Sequence, residues 1–252
     1  MTILVGVLCK DGVVIGADSS ATFAAGNMPT IEQPTLKIDI IAGQIIVAGT
    51  GPIGLGQRFC HVVQTGWTNN TFKGEPVEAC RKICETSIKD FASTNVAQGQ
   101  YGALVAFPLK QRLHLCEFAL KDFQPELKTE RIWYVSMGGG QLIVDPFLAL
   151  MRKVFWMQGP PTHHDAAFAV TWALQHAIDV NPGGVNGPIR IAVLASKPNG
   201  EAFARMLTSE EVSAHENNVE AAQSHLRGYA DILRGQGQQA VPDIPKPVDV
   251  RP

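Results

Sequence analysis

The order of elements predicts an α+β fold built in layers, with helices grouped in pairs beside antiparallel sheets. Two hairpins open the chain, at 2–17 and 37–48, turning at Lys10-Asp-Gly12 and at Ala42-Gly43. Two helical stretches then follow back to back, at 52–68 and 75–97. Strands at 101–107, 113–119 and 131–136 separate them from a second helical pair, at 146–156 and 162–179. A closing hairpin, 189–194 with 201–207, returns to the sheets around the Pro198-Asn-Gly200 turn.

Each element has a local reason. Residues 2–9 and 13–17 are short, almost wholly apolar runs, which reads as strands covered on both faces. Asp18 stands where the second of these strands ends, and antiparallel pairing carries that end back beside Thr2. In the second hairpin Lys37 opens one strand and Gly49 closes its partner. A threonine, an aspartate, a lysine and a glycine backbone therefore fall at strand ends, where one sheet edge can gather them. The run Gly49-Thr-Gly-Pro-Ile-Gly54 matches G-x-G-x-x-G literally. A dinucleotide site needs that turn inside a parallel βαβ unit with an acid about 20 residues on, and the loop 69–75 supplies neither.

The helix from 75 carries Val77, Cys80, Ile83, Cys84, Ile88 and Phe91 at helical spacing. Cys80 and Cys84 lie one turn apart, but no second Cys/His pair accompanies them, so they read as core and no metal or cofactor is expected. The helix at 146–156 buries Phe147, Leu150, Met151, Val154 and Phe155 and stops at Gly159-Pro-Pro161. Thr162 is the expected N-cap of the next helix, with Asp165 at capping-box distance. His163 and His164 are adjacent on that helix and diverge by about 100°, so they read as a solvated helix start. From 208 to 233 a further helix opens at Thr208 or Ser209, with Glu210 and Glu211 at the positive end of its dipole. Its apolar stripe is Val212, His215, Val219, Ala222, Leu226, Tyr229 and Leu233. The division is a domain over 1–207, a C-terminal helix over 208–235, and a Pro/Gly/Gln-rich tail over 236–252 that reads as disordered.

The chemistry is concentrated at the start. Methionine before threonine is normally trimmed, which leaves Thr2 first in the chain with a free α-amine. A hydroxyl needs a base to become a nucleophile, and an amine of pKa about 7.7–8.0 is one. The run T-x-x-V-G-V-x-C-K-D-G-V-V-I-G-A-D-S-x-A-T from Thr2 to Thr22, followed by Lys37-Ile38 and Ala48-Gly49, resembles the proteasome β subunits and the related HslV-type peptidases. The match is dense over the first fifty residues and more diffuse to about Leu207. The resemblance implies a four-layer αββα sandwich of the N-terminal-nucleophile hydrolases. It implies Thr2 as nucleophile, Asp18 as the acid orienting Lys37, Lys37 as the aid to proton removal, and the Gly49 amide as oxyanion donor. It also implies that backbone at Thr22 and Gly49 holds a peptide as an added strand. Residues near Ala21 and Val47 would line the pocket for the side chain before the cut, with an apolar preference.

The pattern is not kept throughout. Ser20 stands where the family has arginine, and Gly139, in Met137-Gly-Gly-Gly140-Gln, stands where a serine is expected. In Asp179-Val-Asn-Pro-Gly-Gly184 the aspartate carries over as a fifth catalytic position, while Pro182 replaces a second serine. The expectation is a threonine endopeptidase that cuts unfolded polypeptide inside a homo-oligomeric ring, with room for an ATP-dependent unfoldase as partner. The competing expectations are a silent assembly subunit and a small-molecule amidase.

Composition sets the outer limits. A chain of 252 residues suffices to bury about 75% of its unfolded surface. A net charge of −2 argues against a nucleic-acid partner, which needs a basic face. No apolar run reaches the roughly 18 residues of a membrane span and no signal-peptide pattern opens the chain, so a cytoplasmic location is expected. Five cysteines, an odd count without CxxC, suit reduced thiols.

Overall fold

The computed structural model describes residues 2–25, 28–97, 99–181 and 183–235. Strands β1 (Ile3–Leu8) and β2 (Gly12–Ala17) are buried almost throughout, which is why neither shows an apolar/polar alternation. The side chains of β1 still alternate in direction. Leu4 enters a core between two sheets, whereas Ile3 and Val5 enter a second core beneath helices. A strand that faces two apolar layers requires two sheets with helices outside them.

The first sheet has the order β10-β1-β2-β11-β12, adding β10 (Tyr134–Gly138), β11 (Arg190–Ser196) and β12 (Ala202–Met206). The second has the order β5-β6-β7-β8-β9, from β5 (Ile38–Ile41), β6 (Ile45–Thr50), β7 (Gly102–Leu109), β8 (Arg112–Phe118) and β9 (Pro125–Leu127). Every pairing is antiparallel. Leu4, Ile15, Ile46, Leu104, Leu115 and Leu194 fill the space between the sheets. Helices α1 (Ile53–Thr68) and α2 (Pro76–Ala92) cover the outer face of the second sheet, where Phe59 meets Phe118 and Phe123 edge-on. Helices α3 (Gln141–Val154) and α4 (His163–Val180) cover the first sheet through Leu148, Val170 and Leu174. The result is the four-layer αββα sandwich that the sequence predicts.

The G-x-G-x-x-G run joins β6 to α1 within this antiparallel sheet, so it is not part of a βαβ unit. Cys80 and Cys84 are buried in the α1/α2 core, and the Cys84 thiol donates to the Phe123 carbonyl at 3.1 Å. Helix α5 (Ser209–Leu233) starts with a full capping box between Thr208 and Glu211 and lays Val212, His215 and Val219 onto α4. Leu226, Tyr229 and Leu233, further along the predicted stripe, are exposed. Among the described residues, no helix is long and apolar enough to cross a membrane.

Four local readings change. Helix α3 starts at Gln141 instead of 146, with Gly140 as N-cap and Pro146 inside it. Proline favours the first turn of a helix, yet Pro146 lies inside this one. Helix α2 stops at Ala92, ahead of the turn in which Asn95 has φ 58°. The loop read around 124–126 contains the short strand β9, whose register pairs Glu117 with Glu126. Lys128 answers both carboxylates at 2.6 Å. A ribbon of β3 (Ser20–Ala25) and β4 (Met28–Pro34) fills the stretch between the two hairpins, for which the sequence predicts no element. Met1, Pro182 and the tail 236–252 lie outside the described residues.

Candidate active site

The register Leu4↔Ala17 places Asp18 beside the start of β1. There the Ile3 amide donates to Asp18 Oδ1 at 2.9 Å, the Asp18 amide donates to the Ile3 carbonyl at 3.3 Å, and the Ser20 amide donates to Oδ2 at 3.2 Å. Lys37 Nζ completes the set, 2.7 Å from Oδ1 and 2.8 Å from Oδ2. The Asp18 side chain is fully covered and that of Lys37 is 7% exposed. Burial pushes the lysine pKa down. The Asp18 charge and hydrogen bond oppose that shift without cancelling it, so the ammonium gives up its proton more readily than a solvated one.

Thr2 precedes the amide that Asp18 holds. On its other side runs the turn after β10, where Gly138 has φ +103° and a Cβ would sit 2.1 Å from the Thr2 carbonyl oxygen. Only glycine allows both that conformation and that approach. Thr2, Lys37, Gly49, Ala21, Thr22 and Gly139 line one cavity of about 1120 Å³ at the end of the sandwich. Asp18 stands directly behind Lys37.

Three sequence-predicted residues behave differently. Val47 is 1% exposed and packs in the core under α1, so it does not line the cavity. It sits on an inner strand that the helix covers completely. Asp179 is exposed in the last turn of α4, away from the cavity lining. The Gly49 amide lines the cavity but donates to the Lys37 carbonyl at 3.3 Å, which extends the β5–β6 ladder by one bond.

The cavity holds further residues beyond those the sequence predicts. Asp39 pairs in register with Val47 and so faces the same helix layer. Being on the edge strand, it stays exposed and lines the cavity. The Cys60 thiol of α1 donates to Asp39 Oδ2 at 3.3 Å. Burial, reinforced by the Asp39 charge, pushes the Cys60 pKa up to about 12, so it stays a thiol and is no nucleophile. Tyr101 occupies the space beside Gly49. A Cβ on that glycine would lie 2.1 Å from the tyrosine hydroxyl. Burial first, then nearby Cys60 and Asp39, push the phenol pKa well up. Gln57, Cys60, His61 and Gln64 share one face of α1 at helical spacing and also line the cavity, a polar stripe that was there to be read in the sequence.

The backbone can be compared with solved structures. The Anbu (Gly-1) mutant from Hyphomicrobium sp. strain MC1 superposes with a TM-score of 0.69, over 95% of this chain and 99% of that one, at 12% identity. The two chains share a fold. No protein-family model matches this sequence, and no curated protein does. At 12% identity the likeness to the Anbu structure is one of architecture, and the site rests on the residues of this chain.

Proposed function

We propose that this chain is a proteasome-like threonine endopeptidase that uses Thr2 as its nucleophile. The observation that carries the reading is that Thr2 and Lys37 line the same cavity while Asp18 fixes the lysine from behind. The fold shared with the Anbu structure and the resemblance of residues 2–51 to proteasome β subunits and HslV-type peptidases point the same way.

The reaction requires removal of Met1. The Thr2 hydroxyl then attacks the peptide carbonyl and its proton passes to the freed α-amine, a transfer that the Lys37 charge eases by stabilising the alkoxide. The Gly49 amide is the assigned oxyanion donor. At 3.3 Å its bond to the Lys37 carbonyl is longer than an ordinary N–H···O bond, which leaves the hydrogen open to sharing with an incoming oxygen. Collapse of the tetrahedral intermediate moves the proton from the amine to the leaving nitrogen and leaves an ester on Thr2. Water, deprotonated by the same amine, hydrolyses the ester. Unfolded polypeptide is the proposed substrate and a homo-oligomeric ring in the cytoplasm the proposed setting, with an ATP-dependent unfoldase as feeding partner.

The test is the intact mass of the purified full-length chain with and without a β-lactone or peptide epoxyketone. The expected result is a chain lacking Met1 that gains one adduct, with no adduct on Thr2→Ala and with the Ala variant folded as the wild type. A chain that retains Met1 and takes no adduct is a silent assembly subunit. Adduct formation with turnover of small amides only makes the chain an amidase.

A further inference from the structure

We propose that the wall made by Asp39, Cys60 and Tyr101 receives the substrate side chain that precedes the cut bond, and that it selects a positively charged one, lysine or arginine. This rests on the peptidase reading and reverses the apolar preference read from Ala21 and Val47.

The wall is part of the Thr2 cavity. Asp39 lies on β5, two residues beyond Lys37, and both line the cavity. The carboxylate of Asp39 is under-used. Its one hydrogen bond among the described residues comes from the Cys60 thiol, a weak donor, whereas a carboxylate has about four acceptor sites. The other charges at the cavity are differently placed. Lys37 is matched by Asp18, and Glu32, which accepts from the Ser20 hydroxyl, is not part of the lining. His61, beside Cys60 on α1, lines the cavity as well. The wall therefore presents one negative charge with room for donors around it.

Shape agrees with charge. Gly49 and Gly56 contribute no side chain to this side of the cavity, and a Cβ on Gly56 would still stand 3.6 Å from Tyr101. Ala21 and Ile53 give the cavity apolar lining for a stem, and Asp39 and Tyr101 give it oxygens for a polar tip. Lysine and arginine have that build, an apolar stem ending in donors only. A leucine in the same place would strip water from the Asp39 carboxylate and return no hydrogen bond, and a glutamate would meet like charge.

The test uses three peptide epoxyketones that differ only in the residue next to the reactive group: arginine, leucine or glutamate. Rates of adduct formation are followed by intact mass on the full-length chain, on Asp39→Asn and on Asp39→Lys. The arginine probe is expected to react at least about tenfold faster than the leucine probe with the wild type. That ratio should collapse in Asp39→Asn, and the order should shift toward glutamate in Asp39→Lys. Leucine reacting as fast as arginine with the wild type, or an unchanged ratio in both variants, overturns the charge preference and leaves the peptidase standing. Failure of all three probes to label the wild type overturns the peptidase reading and this inference together.

Discussion

Asp18 and His215 are equally hidden, at 0% and 2% exposure, yet the molecule treats them in opposite ways. At the cavity end, Asp18 accepts from two backbone amides and from the Lys37 ammonium, so its carboxylate has a full set of partners. In the seam between α4 and α5, the His215 ring lies 5.4 Å from that of His164, and its Nδ1 has no hydrogen-bond partner among the described residues. Burial first, then His164, push its pKa down to about 4. Glu211 pulls the other way weakly, because it is already engaged by Arg205 through two bonds of 2.7 Å. A buried ionisable group thus becomes a maintained charge where the backbone supplies donors, and a neutral filler where it does not.

The largest expected effect tests the maintained charge. Asp18→Ala leaves Lys37 buried without its anion and two amides without their acceptor, and the expected cost is about 3–5 kcal/mol in urea unfolding. Should Asp18→Ala cost less than 1 kcal/mol, the carboxylate is not holding the cavity end together and the contrast with His215 disappears.

The next effect tests the neutral filler. A histidine whose folded pKa lies below its unfolded value of about 6.5 withholds a proton that the unfolded chain takes up. Its contribution is fully favourable above pH 6.5 and is lost as pH falls from there toward the folded value of about 4. The expected loss over that window is about 2–3 kcal/mol. His163 with Asp11, His164, and Arg205 with Glu211 also face this seam. The comparison that isolates His215 is therefore the urea midpoint against pH for the wild type and for His215→Leu, with a flatter acid limb expected in the variant. The smallest effect belongs to the start of α5. Thr208→Ala removes one half of the capping box and should cost about 1 kcal/mol by the same measurement at neutral pH.

Much of the cavity end was legible because hairpin register is forced. Once Thr2 to Ala17 and Lys37 to Ala48 are read as hairpins, Asp18 must return beside the start of β1, and Lys37 and Gly49 must end neighbouring strands. The alternation of burial is also local, so the two-sided strands gave the layers. The errors lie where neighbours far along the chain decide. Val47 and Asp39 share a register and a face, but only the position of α1 makes one of them core and the other cavity wall. The spacing of Asp179 from the Gly183-Gly184 pair suggests a site residue, but it stands exposed in the last turn of α4, outside the cavity lining. His215 belongs to the apolar stripe of α5, but the neighbour its ring meets, His164, lies fifty-one residues earlier.

Thr2 is gripped by main chain on both sides, through the Ile3 amide on Asp18 and the carbonyl that packs against Gly138. Nothing in that grip consults the side chain. Position 2 is therefore an exchangeable fitting on a fixed mount: serine, cysteine or alanine can be installed there and the surrounding architecture will not register the difference.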